Sequence, residues 1–233
     1  MNKLLARGGI EIIAVFIGIS GGLWSEKQIE LNKTIKAEKV ALKSIRDEFV
    51  SDSTSLFNIV KSIENEQENI SNLLKHISGD TTLSITKLNA LIFDMMYFAY
   101  LTYDNSVYEG LIKGAGRKII QEDSVSSAIS SIYESTYKHL GNMFDMQKDM
   151  IATRTFDAFI ESGGYLDTKR FSISKSLNLS QEEMFSEALR KKKFVNQISF
   201  HYDTNFFIKK QYEWALGKVV VAIGIIDNYL ENS

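Results

Sequence analysis

The chain is predicted to be all-α, with an N-terminal transmembrane helix continuing into a long helix and an antiparallel helical bundle. Three observations predict it. None of the 233 residues is proline, the residue that interrupts helices by removing a donor and clashing with the preceding turn. A heptad repeat of apolar residues runs unbroken from Leu31 to Ile77, the pattern of a coiled coil or long bundle helix. No stretch alternates apolar and polar residues between hairpin turns, so no strand is expected. The expected divisions are a transmembrane anchor at 1–25, a heptad-patterned helix at 26–78 and a bundle packing with it at 79–233.

The anchor reading rests on residues 4–24, LLARGGIEIIAVFIGISGGLW. A spanning helix needs about 20 mostly apolar residues to cross a hydrocarbon core of roughly 30 Å. This stretch is just long enough, although its continuous apolar run is only Ile12 to Ile19. Arg7, near the end, can snorkel to the headgroups. Trp24 stands where an interfacial aromatic belongs. A cleaved signal peptide and a core helix are the alternatives; Ser20-Gly21-Gly22 offers only a weak cleavage site, and the anchor is the leading reading.

Next comes the heptad helix. Positions 35, 42, 49, 56, 63, 70 and 77 are all apolar, and 31, 38, 45, 52, 59, 66 and 73 alternate apolar and acidic residues. Glu38, Asp52 and Glu66 thus recur on the seam every two heptads. They are expected to reach solvent or lysines of a neighbouring helix; the sharper alternative is that they set register or oligomer state. Ser78-Gly79-Asp80 supplies the stop. Residues 83–103, apolar and aromatic, are expected to form the central helix of the bundle. Asp104-Asn105 can cap a short helix through Ile112, ended by Gly114-Ala115-Gly116. A long helix is predicted from Asp123 or Ser124 to about Ile160, broken by Ser162-Gly163-Gly164. Ser180 with Glu183 makes a capping box for a helix to about Phe200, and a last helix is expected from about Thr204 to Leu230. Its run Val219 to Ile226 is too short to span and reads as core.

The chemistry legible in the residues is sparse. A formal net charge of -2 gives no electrostatic footprint for nucleic acid. The lack of cysteine excludes disulfides and thiolate chemistry. His76, His139 and His201 fall in no metal-ligand spacing. The Gly114-to-Lys118 corner lacks the spacing and preceding strand of a phosphate loop. The basic run Arg190 to Lys193 reads as a solvated face. No catalytic residue, cofactor or metal ligand is assigned.

The anchor carries the best functional lead. On a helix Arg7, Glu11, Ala14, Gly18 and Gly22 share one stripe, the small-xxx-small pattern that lets helices approach closely in membranes. Glu11, Ala14, Gly18 and Gly22 are the candidate packing and assembly residues; Arg7 and Trp24 are the candidate interface anchors. Three roles stay open: simple packing with Glu11 paired to Arg7, assembly through Glu11 across helices, or a pore lined by Glu11.

The run from Glu11 through Gly18, Gly22 and Trp24 to Glu26, with the corner Tyr108-Glu109-x-Leu111 followed by Gly114-Ala115-Gly116, resembles a bacterial family of small single-pass membrane proteins of unknown function. Ile10 stands where that family has glycine, and Ala115 departs likewise. The resemblance implies an anchor and a helical domain, with no activity or substrate. The expected function is accordingly a membrane-anchored helical interaction or scaffold protein that self-associates or docks on other membrane proteins, in the bacterial inner membrane with the lipid bilayer as partner. The alternative is a homo-oligomeric membrane channel or effector with Glu11 near the ion path; an enzyme with no readable site is the third. Orientation stays open, because Lys3 and Arg7 precede the segment and Lys27, Lys33, Lys36 and Lys39 follow it.

Overall fold

The computed structural model describes residues 2–95, 99–114, 120–149, 154–164 and 179–232, without the side chains of 2–21, 23, 112–114 and 179–182. The described residues are helix, turn and coil, with no strand, as the absence of alternating patterns predicts. In chain order the helices are α1 (Asn2–Ser78), α2 (Ile85–Asp94), α3 (Ser106–Gly114), α4 (Asp123–Ser131), α5 (Tyr137–Lys148), α6 (Phe156–Glu161), α7 (Leu179–Arg190) and α8 (Lys192–Asn232). A π-helical turn, Ile132–Thr136, joins α4 to α5.

The frame is α1 packed antiparallel on α8. Arg46 pairs with Asp227 at 3.0 Å and Glu64 with Lys209 at 2.9 Å. The α1 seam is buried from Glu38 to Leu73, and α8 answers with a four-three pattern from Phe194 to Ile226. Helix α1 stops where the sequence predicts. Gly79 takes φ +89°, Asp80 N–H donates to Lys75 C=O at 2.9 Å and Gly79 N–H to His76 C=O at 3.2 Å. This is the doubled bond of a Schellman cap, which needs a left-handed residue that glycine supplies without a Cβ clash.

Two apolar cores lie along this frame. One joins α1 between Leu42 and Ile63 to α4, the π turn, α5 and the C-terminal half of α8. The other joins Ile70 and Leu73 to α2, α6, α7 and the start of α8. Glu66, Thr155, His201 and Asn205, all buried, lie between them along the chain. In the second core the ring of Phe159 stands between Phe185 and Phe194, at centroid distances of 5.4 and 5.3 Å. A Cβ on Gly164 would come within 2.5 Å of that ring, which is hemmed in and has little room to withdraw. Gly164→Ala is therefore expected to lose about 1–3 kcal/mol in denaturant titration. Gly141→Ala is the control: at an exposed position of α5, with nothing within 4 Å of the new methyl, it should gain about 0.5–1 kcal/mol.

Several expected elements differ. Residues 83–103 are not one central helix. Helix α2 ends at Asp94, and the coil from Ala99 to Asn105 runs along α5, laying Tyr100 on Phe144 and Tyr103 on Tyr137 at 4.9 and 4.4 Å. The helix expected through Ile160 is interrupted by the π turn, where Thr136 Oγ1 donates to Ser131 C=O five residues back. The C-terminal break falls at Lys191 rather than near Thr204. The break was expected between Phe200 and Thr204, but His201 and Asn205 occupy seam positions and are buried, so the helix passes through them. The side chain of Ser180, first member of the predicted capping box, and the corner at 115–119 lie outside the described residues.

The anchor reading is corrected. Among the described residues no helix is long and apolar enough to cross a membrane. The physical reason is legible in the segment: its continuous apolar run of eight residues rises only about 12 Å, and Arg7 and Glu11 precede it. The transmembrane helix, the lipid bilayer as partner and a single-pass inner-membrane location therefore do not stand. The channel alternative falls with them, since it required the same span. What α1 does present is a continuous helix whose residues before Glu38 project about 50 Å past the end of α8.

Candidate functional site

Glu38, Asp52 and Glu66 sit where the α1 seam should be apolar, and they are only 1%, 5% and 8% exposed. The expectation that they reach solvent or lysines is corrected. Glu38 Oε1 accepts from Gln121 N–H at 2.8 Å and from the Tyr229 hydroxyl at 3.1 Å. Asp52 Oδ2 accepts from the Tyr137 hydroxyl. Glu66 Oε1 lies 3.0 Å from His201 Nε2, at ion-pair distance but off the line of a good hydrogen bond; His201 Nδ1 faces Thr155 Oγ1 at 3.4 Å. Each carboxylate thus meets a different part of the fold. A slip of α8 by one heptad would bring Phe194 or Ile208 opposite Glu66, leaving a buried charge without a polar partner. Glu66 accordingly disfavours that slip of α8 along α1.

Around Asp52 the acids meet tyrosines. The π turn widens the inward face of the α4–α5 stretch so that Ile132, Tyr133, Thr136 and Tyr137 are all buried. Tyr133 donates to Glu48 Oε2 at 2.7 Å, stacks on Tyr108 at 4.4 Å and meets Tyr137 edge-on at 5.5 Å. Tyr108 donates to Glu134 Oε1 at 2.6 Å. Burial pushes the Asp52 carboxyl up to about 6; the Tyr137 bond opposes this, and the charges of Glu48 and Asp104 add to it. Burial likewise raises Glu48. Tyr133 and Tyr137 are pushed far up, first by burial and then by donating to carboxylates. They stay protonated and act as hydrogen-bond donors. Burial alone takes Tyr212, on α8, up to about 12; its hydroxyl has no hydrogen-bond partner among the described residues.

The histidines are structural here: His76 Nδ1 accepts from Leu83 N–H at 3.2 Å, and His139 pairs with Gln211 at 2.9 Å. Among the described residues no group of three or more His, Asp or Glu could hold a metal ion. Of the sequence-predicted stripe, the side chains of Arg7, Glu11, Ala14 and Gly18 lie outside the described residues. Gly22 is exposed, and a Cβ there would meet nothing within 4 Å. Trp24 is 67% exposed, and the membrane helix whose interface it would mark is absent among the described residues.

Trp24 instead belongs to the α1 seam. Counting back by heptads from Ile35 and Glu38 gives Leu31, Gln28 and Trp24. The seam therefore leaves the bundle uncovered, with Leu31 45% exposed. Three other exposed rings are flanked by lysine. Phe57, Phe206 and Trp214 each carry a lysine four residues on, with its ammonium 5.7–5.9 Å from the ring centre. Trp24 has Gln28 at that position.

No protein-family model, no curated protein and no solved structure matches this chain. The resemblance to single-pass membrane proteins is corrected accordingly: no family model supports it, and the span it implied is absent among the described residues. The tyrosine–carboxylate cluster had a sequence signal, two tyrosines four apart at 133 and 137 and acids on a seam, but no local pattern joined them.

Proposed function

We propose that this protein is a non-enzymatic helical interaction module that self-associates, two copies pairing along the projecting part of α1. The observation that carries this reading is the seam leaving the bundle at Glu38 with Leu31 and Trp24 exposed on it. An isolated helix in water gains little from propensity alone and is held chiefly by packing of one face. In a parallel, in-register pair Lys27 faces Asn32 and Thr34 faces Lys39 at the flanking positions, so like charges do not meet there. Gln28 is then the polar seam residue that sets the pairing. Glu38, Glu48 and Asp52 already hold structural bonds, which favours an interaction role over catalysis.

The test is sedimentation equilibrium across a wide concentration range. The wild-type chain is expected to associate reversibly. Each copy buries one Leu31, worth about 1.5–3 kcal/mol, so Leu31→Glu should weaken a dimer about a hundredfold or more. The same substitution should leave the thermal unfolding of the bundle unchanged, because Leu31 lies outside both cores. A wild-type monomer at every concentration would remove the proposal.

A further inference from the structure

We propose that the outward face of α8 is a second contact between copies of this chain, made antiparallel about a two-fold axis between Lys210 and Trp214 and separate from the pairing along α1. Away from its buried seam, α8 carries Phe200, Phe207, Trp214 and Val221 at seven-residue spacing, with Phe206 and Val220 beside them. All six are 43–61% exposed. The run is about 30 Å long. Four half-exposed aromatic residues leave roughly 300–500 Å² of apolar surface, the size at which a patch marks an interaction site. The two valines and the stems of Lys210 and Lys218 bring the face toward the roughly 800 Å² that each partner gives to a standard interface.

What fits this face is the same face turned end for end. Gly217 and Gly224 stand three residues after Trp214 and Val221, and a Cβ at either would meet nothing within 4 Å. Glycine inside a helix costs stability relative to alanine, and no neighbour among the described residues requires it there. In an antiparallel pair Phe207 meets the second copy's Gly217 and Phe200 meets its Gly224, a bulky side chain over bare backbone each time. Phe206 meets the second copy's Val220. Lys210 lays its stem on the second copy's Trp214, as it already lies 5.7 Å from the ring centre of Phe206. Glu213 faces its own counterpart at the axis, neutralised by Lys210 at 2.9 Å and Lys209 at 3.7 Å. The charges on the face are balanced, Lys210 and Lys218 against Asp203 and Glu213. That balance suits a second copy better than a partner of one strong sign, such as a nucleic acid. With both contacts each chain has two neighbours, and the wild type assembles beyond the dimer.

The experiment is sedimentation equilibrium of the full chain carrying Leu31→Glu, which removes the α1 contact and leaves this one. That chain is expected to dimerise reversibly. Adding Val221→Glu should weaken the dimer about tenfold or more. Adding Gly217→Leu should also weaken it about tenfold or more, because the leucine fills the space that Phe207 of the second copy enters. Unspecific sticking through an apolar patch would instead grow stronger with the added leucine. Thermal unfolding should be no lower for Gly217→Leu than for its parent, since leucine is the better helix former and this position lies outside both cores. A Leu31→Glu chain that stays monomeric at every concentration overturns the proposal and leaves the face to a different protein. A dimer indifferent to Val221→Glu, or one tightened by Gly217→Leu, overturns it as well. Val221→Glu in the otherwise wild-type chain leaves only the α1 contact, so the two pairings stand or fall separately.

Discussion

Phe159→Ala is expected to lower the unfolding free energy by about 3–5 kcal/mol, the range for truncating a fully buried aromatic residue. Phe159 is 0% exposed and touches the rings of Phe185 on α7 and Phe194 on α8. Its own helix, α6, has six residues, too few to hold itself by backbone bonds alone. Its ring is therefore the main apolar tie between α6 and the rest of the second core. Denaturant titration checks it, with Phe57→Ala as the control. Phe57 is half exposed on α1, and its removal should cost less than about 1 kcal/mol. A loss at Phe159 no larger than at Phe57 would show that the second core is not organised around it.

Asp52→Asn is expected to stabilise the protein at neutral pH and to leave it nearly unchanged in acid. The unfolded carboxyl titrates near 3.8, and burial brings the folded one up to about 6. Between these values the native state holds more protons than the unfolded state, so this residue makes stability fall as pH rises. Its contribution is most favourable below the unfolded value and is lost as pH rises through about 6; the full difference is about 3 kcal/mol. Asparagine keeps an oxygen for the Tyr137 hydroxyl and removes the charge. The gain over wild type should therefore grow from about pH 4 to pH 6.5 and level off above it. Unfolding titrations of both proteins at several pH values measure that difference, which cancels the titration of shared groups. A difference that does not vary with pH would show that the buried carboxylate carries its charge without penalty.

Asp52 also shows where sequence reading reached and where it ended. Its place on the seam, two heptads from Glu38 and from Glu66, was visible from spacing alone. Its partner was not, because Tyr137 lies 85 residues away and the Glu38–Tyr229 bond spans 191. Nothing local joins such pairs; they meet only once α8 and the α4–α5 stretch have docked. The same limit misplaced the C-terminal break. A break was expected between Phe200 and Thr204, yet the helix continues there, with His201 facing Glu66 across the seam. The aromatic stretch at 83–103 went wrong for a related reason: its apolar density was read as helix length, whereas Tyr100 and Tyr103 lie over rings of α5.

The sequence by itself determined the helical class, the long α1 with its heptad seam, the stop at Gly79 and the break at Gly163-Gly164. These follow from short-range physics: helical periodicity, absence of proline and the left-handed backbone that glycine permits. Only the tertiary structure decided which seam residues are covered, what the buried acids bond to and where the seam runs free. An apolar stripe states that a face needs burial, but not what buries it. From Glu38 onward α8 does so; before it, Trp24 and Leu31 remain exposed, and the segment once read as the lead into a membrane becomes a helix face open to a second copy.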